Sequence, residues 1–255
     1  MNRINRALLG ASIAAIAFSG QAYAQTAAPA DAEQSQDAGD IVVTANKREQ
    51  RLNDVGSTVA VLSGDALQNR QINSLEDLAN ATPGLSFANS ANGTPVYTLR
   101  GVGFYETSLG AYPTVSTYVD EAPLPFPILS SHSAFDLERV EILKGPQGTL
   151  FGQNATGGAI NYIAAKPTDT FSAGGSLSYG RFNEVIGEGF ISGPLSSTLK
   201  ARLAGRIERA DGWQISNSRP GDRNGKVENY MGRLLVDFEP TETLRFKLNV
   251  NGWKD

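Results

Sequence analysis

Cysteine is absent from this sequence, and histidine occurs once, as His132. Without cysteine there is no disulfide framework and no thiolate metal site. A lone histidine in the loop-like stretch "SSHSAF" provides no nucleophile paired with an activating base. An enzyme is therefore the least supported class, and no catalytic residue is assigned. A basic excess is missing too. The net charge of −4 at pH 7 disfavours a nucleic-acid partner, because a phosphate backbone asks for a basic face. No apolar run is long enough to cross a bilayer as a helix. The glycine-rich stretches lack phosphate-binding endings: no Gly-Lys-Ser/Thr closes them, and "GVGFYE" at Gly101 lacks the third glycine of a dinucleotide fingerprint. No cofactor and no metal-ligand set is implied.

What is present begins with a leader. Arg3 and Arg6 precede an apolar run from Ala7 to Phe18, and Ala22-Tyr23-Ala24 forms a small-x-small cleavage site before Gln25. These are the flanks of a secretory signal covering residues 1–24. Residues 25–39, "QTAAPADAEQSQDAG", hold no aliphatic side chain larger than alanine and are expected to be a disordered linker. Ile41, Val42, Val43, Thr44 and Ala45 follow as a short β-prone run. It reads either as the first strand of the next domain or as a tethered docking strand that adds to a partner's sheet edge.

From Val55 to Pro167 the pattern is one α+β unit. Val59 to Leu62 is a strand, and "INSLEDLANATPG" is a helix. Asn73 or Ser74 caps that helix, with Glu76 or Asp77 three residues on, a stripe of Leu75, Leu78 and Ala79, and a stop at Pro83-Gly84. "TPVYTLRG", "TVSTYVDEAP" and "LERVEIL" are further strands, the last with Val140 and Ile142 on one face and Glu141 on the other. Gly145, Pro146, Gly148, Gly152, Asn154, Gly157 and Gly158 then interrupt regular structure without opening a clear helix. With phosphate binding and catalysis excluded, the surviving reason for so much permissive backbone is steric: φ > 0, or an approach too close for a Cβ.

After Pro167 the period changes to two. Phe171, Ala173, Gly175, Leu177 and Tyr179 share a face; so do Leu199, Ala201, Leu203, Gly205 and Ile207, then Tyr230, Gly232, Leu234, Val236 and Phe238, then Leu244, Phe246, Leu248 and Val250. The opposite faces carry Lys200, Arg202, Arg206, Glu208, Arg233, Asp237, Arg245 and Lys247. "EVIGEGFIS" is a fifth, less regular strand. Strands of about 10 residues, several charges per polar face, short turns and one long loop (Asp211 to Glu228) point to a membrane barrel with lipid outside and water inside, over a soluble sandwich.

At this point the chain resembles the TonB-dependent outer-membrane receptors. "DIVVTA" is similar to the TonB box (residues 40–46), and "YTLRGVG", "VSTYVDEAPL" and "LERVEILKGPQGTLFGQNATGGAINYIAAKP" are similar to consecutive plug signature blocks. The resemblance implies an α+β plug domain (47–168) followed by the first antiparallel strands of a transmembrane β-barrel (169–255), an incomplete barrel. It marks Arg100, Gly101, Asp120, Arg139, Glu141, Lys144, Gly145, Pro146, Gly148, Gly152, Gly157 and Gly158 as plug signature positions. Of these, Arg100, Arg139, Glu141 and Lys144 become candidates for polar contacts with the lumen wall, and the glycines are expected to let the plug pack inside that wall. Ile41 to Ala45 would bind the periplasmic energy-coupling protein TonB, and the outer strand faces would meet outer-membrane lipid. Phe104, Tyr105 and Tyr112, in "GFYETSLGAY", would offer flat apolar faces to a solute such as a ferric siderophore; carbohydrate, haem and cobalamin receptors belong to the same family. A family barrel has about 22 strands around a plugged lumen, and the stretch after Pro167 has room for about five. The expectation is the N-terminal part of a receptor, in preference to a stand-alone periplasmic binding module, which would have no use for amphipathic barrel strands.

Overall fold

A computed structural model describes residues 41–72, 74–90, 93–105, 112–152 and 154–255. The expected leader and linker lie outside these residues.

The described chain starts with a hairpin of β1 (Val42–Val43) and β2 (Gln50–Arg51), paired antiparallel. β3 (Thr58–Ser63) runs into α1 (Gly64–Asn69), whose N-terminus is capped by the Ser63 side chain accepting from the Ala66 N–H. α2 (Leu75–Ala81) has a reciprocal capping box between Ser74 and Asp77, which decides between the caps open from sequence. Its Leu75, Leu78 and Ala79 are buried, and the chain turns out at Gly84 with φ +80°. β4 (Leu85–Asn89), β5 (Pro95–Leu99) and β6 (Val102–Gly103) form a small antiparallel sheet in that order.

β7 (Val115–Val119), β8 (Ala122–Pro123), β9 (Leu137–Lys144), the single helical turn α3 (Gly148–Phe151) and β10 (Gly158–Ala164) complete the first unit. Its central sheet has the order β3-β9-β10-β7-β8. β10 runs parallel to β7 and antiparallel to β9. Every residue of β10 is buried, which is why "GAINYIA" reads as a continuous run without alternation. One face of the sheet, with Val140, Ile142, Ile160 and Tyr162, packs on α1, α2 and β5. The other, with Leu143, Ala159 and Tyr118, packs on Val43, Ala45 and Phe151. Glu141 points to this second face and is fully buried, not solvated.

The glycine-rich stretch makes a reversal between β9 and β10. Gly145 has φ +105° and Gly152 φ +81°. A Cβ on Gly158 would collide with the Leu143 carbonyl and with Leu99 Cδ2, and one on Gly157 would sit 3.0 Å from the Val102 carbonyl oxygen. The close neighbours of Gly157 and Gly158 belong to this same unit. Packing against a surrounding wall is therefore not what demands these two glycines. Gly148 has open space around its Cα and opens α3, so the steric argument does not extend to it, and the stretch contains one helical turn where none was expected.

The second half is a meander. β11 (Ser172–Tyr179), β12 (Val185–Pro194) and β13 (Leu199–Ala210) are followed by a loop that carries the minor hairpin β14 (Gln214–Ile215) and β15 (Arg223–Asn224). β16 (Val227–Thr241) and β17 (Leu244–Lys254) end the sheet, which has the order β11-β12-β13-β16-β17, antiparallel throughout. Leu203 and Ile207 face outward, 52% and 47% exposed, while Arg202, Ala204 and Arg206 on alternate positions are buried against the first unit. The register carries the apolar stripe across strands: Leu199, Phe238 and Phe246 lie in one row, and Leu203, Leu234 and Val250 in another.

Candidate functional site

Two constellations stand out, one against the middle of β9 and one at its entrance. The first holds the segment Ile41–Ala45. Val43 and Ala45 alternate into the second core, and Val42 alternates outward. Thr44 between them is fastened by polar contacts. Its N–H donates to Glu141 Oε1 at 2.9 Å, and its hydroxyl lies 3.2 and 3.1 Å from Oε1 and Oε2. Arg139 Nε donates to the same Oε1 at 2.8 Å, and Arg139 also pairs with Glu138. Lys47, at φ +58°, closes the segment: its ammonium donates to the Glu121 carbonyl at 3.0 Å and lies over the rings of Tyr118 and Phe151. A five-residue run that reads from sequence as strand-prone beside a flexible leader is thus seated in the protein.

The second constellation joins the α+β unit to the inner face of the meander. It centres on Asp136, at φ +49° just before β9. Arg202 of β13 grips the Asp136 carboxylate bidentately, with Nε at 2.8 and 3.1 Å from its two oxygens and Nη2 on Oδ1. Arg233 of β16 donates to the Phe135 carbonyl at 2.8 Å and the Asp136 carbonyl at 3.1 Å, with its guanidinium 4.5 Å from the Phe135 ring centre. The Asp136 N–H donates to Glu188 of β12 at 2.9 Å, and Glu188 in turn lies 3.5 Å from Arg206. Arg202 also stacks on Phe190, 3.7 Å from its ring centre. Arg202 and Asp136 are tolerable in this buried setting because each is the other's counter-charge, and Arg233 is satisfied by the Phe135 and Asp136 carbonyls and the Asn251 side chain.

Asp120, a plug signature position not singled out for the wall, does touch it: its carboxylate accepts from the Ala164 N–H at 2.9 Å and from the Asn249 side chain of β17. Arg139 and Glu141 bond each other and their own unit, Lys144 donates to the Pro83 carbonyl at 2.8 Å, and Arg100 is an exposed residue at φ +52° beside Gly101 at φ +80°. The four basic and acidic residues singled out for the wall therefore do not make the described wall contacts. Asp136 makes them, and it carried no sequence signal beyond being an acid at a strand entrance. The wall side was legible, because Arg202, Arg206 and Arg233 are the polar half of an alternating pattern. Phe104, Tyr105 and Tyr112 are 52%, 60% and 61% exposed, and the Tyr105 hydroxyl donates to the Asn89 carbonyl at 3.3 Å. Pro146 lies in the β9–β10 reversal.

Residues 51–159 match the family model described as the TonB-dependent Receptor Plug Domain. The chain belongs to the TonB-dependent receptor family. It is 32% identical over 219 residues to the pesticin receptor of Yersinia pestis, a match covering 81% of this chain and 31% of that protein. It is 26% identical to the ferripyoverdine receptor of Pseudomonas aeruginosa, over 93% of this chain and 31% of that protein. The solved structure of the ferric yersiniabactin uptake receptor FyuA from Yersinia pestis superposes with a TM-score of 0.64 at 27% identity, covering 73% of this chain and 29% of that one. The chain spans about a third of the length of the curated relatives it matches. In this TonB-dependent receptor chain the α+β unit is the plug, and the meander is part of a barrel wall.

Proposed function

We propose that this chain is the plug and first wall strands of an outer-membrane receptor that imports a ferric siderophore, with TonB supplying the energy and the plug gating the lumen. In this reading residues 1–24 direct export, residues 25–39 tether the TonB box at 40–46, residues 47–168 are the plug, and residues 169–255 face lipid with one side and the plug with the other. The observation that carries it is the seating of a compact plug on the charged face of a meander whose other face is apolar, through Asp136, Arg202 and Arg233. Ion pairs and hydrogen bonds that hold the plug to the wall can be exchanged for bonds to water when the plug is displaced. The choice of cargo is supported by relatives named as receptors for ferric pyoverdine and ferric yersiniabactin. Phe104, Tyr105 and Tyr112 are the plug residues proposed to meet it.

Deleting Ile41–Ala45 from the receptor tests the coupling role. Surface binding of the radiolabelled ferric siderophore is expected to persist while energised uptake is lost. Equal loss of both would refute the assignment. Uptake of cyanocobalamin, but of no ferric siderophore, by the same cells would replace the cargo.

A further inference from the structure

β1 uses only one of its edges to pair with β2. The Leu52 N–H donates to the Ile41 carbonyl at 2.8 Å, and Val43 is in register with Gln50. In an antiparallel ladder, the main-chain groups of alternate residues point to the same side. Residues 41 and 43 therefore aim at β2, and residues 42 and 44 aim at the opposite edge, where an added strand would bond. The Thr44 amide on that edge is already taken by Glu141 Oε1 at 2.9 Å, and both carboxylate oxygens lie within 3.2 Å of the Thr44 hydroxyl. Glu141 itself is 0% exposed and fixed by Arg139.

We propose that Glu141 is the positioning residue that closes the edge of the coupling strand opposite β2, so that a partner strand adds to Ile41–Ala45 only after the Thr44 amide leaves this carboxylate. The inference rests on the docking role given to these residues above and names the group that regulates it. An unpaired strand edge is a template for any extended chain, and one defence is a charged side chain turned onto that edge. A carboxylate accepting from an amide makes a stronger bond than the neutral carbonyl of an incoming strand can. Ile41 and Val42 stay exposed at 39% and 44%. The segment is visible to a partner but closed to strand pairing.

The test uses the full-length receptor with Glu141→Met, which keeps the volume and removes the acceptor, and Thr44→Val, which removes the hydroxyl and keeps the amide. Two quantities are read: amide hydrogen exchange of residues 41–47 against that of β10, and affinity for the purified periplasmic domain of TonB. Glu141→Met is expected to speed exchange in 41–47 by about tenfold or more with β10 protection retained, and to tighten TonB-domain binding by a similar factor. Thr44→Val should move both in the same direction by less. If β10 protection collapses in Glu141→Met, Thr44→Val decides alone. Unchanged exchange in 41–47 overturns the proposal, and so does faster exchange with no gain in affinity when the wild type binds the TonB domain. Faster exchange in a receptor that never binds the domain, variant or wild type, upholds the closed edge and refutes the docking role.

Discussion

At Asp136 a single residue offers its carboxylate to one wall strand, its carbonyl to a second and its N–H to a third. Asp136→Ala leaves Arg202 buried without its counter-charge, a situation that costs about 3–5 kcal/mol. The expected result is a lowered unfolding midpoint for the receptor in detergent and a plug that becomes sensitive to protease while the wall stays intact. Glycine positions separate just as sharply. Gly158→Ala places a methyl against the Leu143 carbonyl and should prevent accumulation of folded plug, whereas Gly148→Ala meets open space in a helical turn and should be neutral or stabilising by up to about 1 kcal/mol. Two buried phenols set an alkaline limit. Burial, the dominant cause, pushes Tyr97 from 10.0 up to about 12, and burial together with the neighbouring Tyr97 pushes Tyr162 well above 10.0. The folded plug holds these protons more tightly than the unfolded chain does. The stabilisation is complete below pH 10 and is lost as pH rises through about 12. Circular dichroism across that interval should show unfolding in step with tyrosinate absorbance.

β9 is the element on which both constellations depend. Asp136 stands at its entrance, Glu141 in its middle and Lys144 at its end, bonded to the Pro83 carbonyl. Its alternation serves two cores at once, with Val140 and Ile142 in one and Leu143 in the other, so it cannot slip by one residue without exchanging them. The wall strands are simpler, since their two sides meet different media. Leu234, 38% exposed on the outer face of β16, lies in register with Leu203 and Val250. Leu234→Arg should destabilise the inserted receptor by about 2–4 kcal/mol if that row lies near the bilayer midplane. Thr or Ser at the same place should cost less, and urea titration in lipid vesicles separates the two.

On the scale of the whole chain, β11 and β17 are the outer strands of a five-stranded sheet, each with a single partner. On the apolar outer face Leu203, Ile207, Phe246 and Leu248 are half exposed. Unpaired backbone in hydrocarbon is unfavourable, and an open apolar edge in water pairs with whatever strand is near. These 255 residues expressed alone are expected to associate or be degraded, not to run as a heat-resistant monomer in detergent gels. A soluble monodisperse product whose cooperative melt includes residues 171–255 would contradict the wall assignment.

Features set by neighbours in the chain could be read from the residues themselves. The wall strands, their order and their apolar outer sides follow from a period of two joined by short turns, because successive side chains of a strand alternate whatever surrounds them. The α2 stripe and its capping box are equally local. The tertiary structure decided which polar groups meet. Thr44 and Glu141 are 97 residues apart and Asp136 and Arg202 are 66 apart, and composition cannot pair a buried acid with one distant donor among many. It also decided that the Gly157 and Gly158 backbones are crowded by Val102, Leu99 and Leu143 of the plug, since a missing Cβ signals close approach without naming what approaches. And it turned Glu141 from a charge on a strand face into a buried acceptor. Val43, Ala45 and Phe151 cover the second face of the plug sheet, and any acid on that face must find its partner inside.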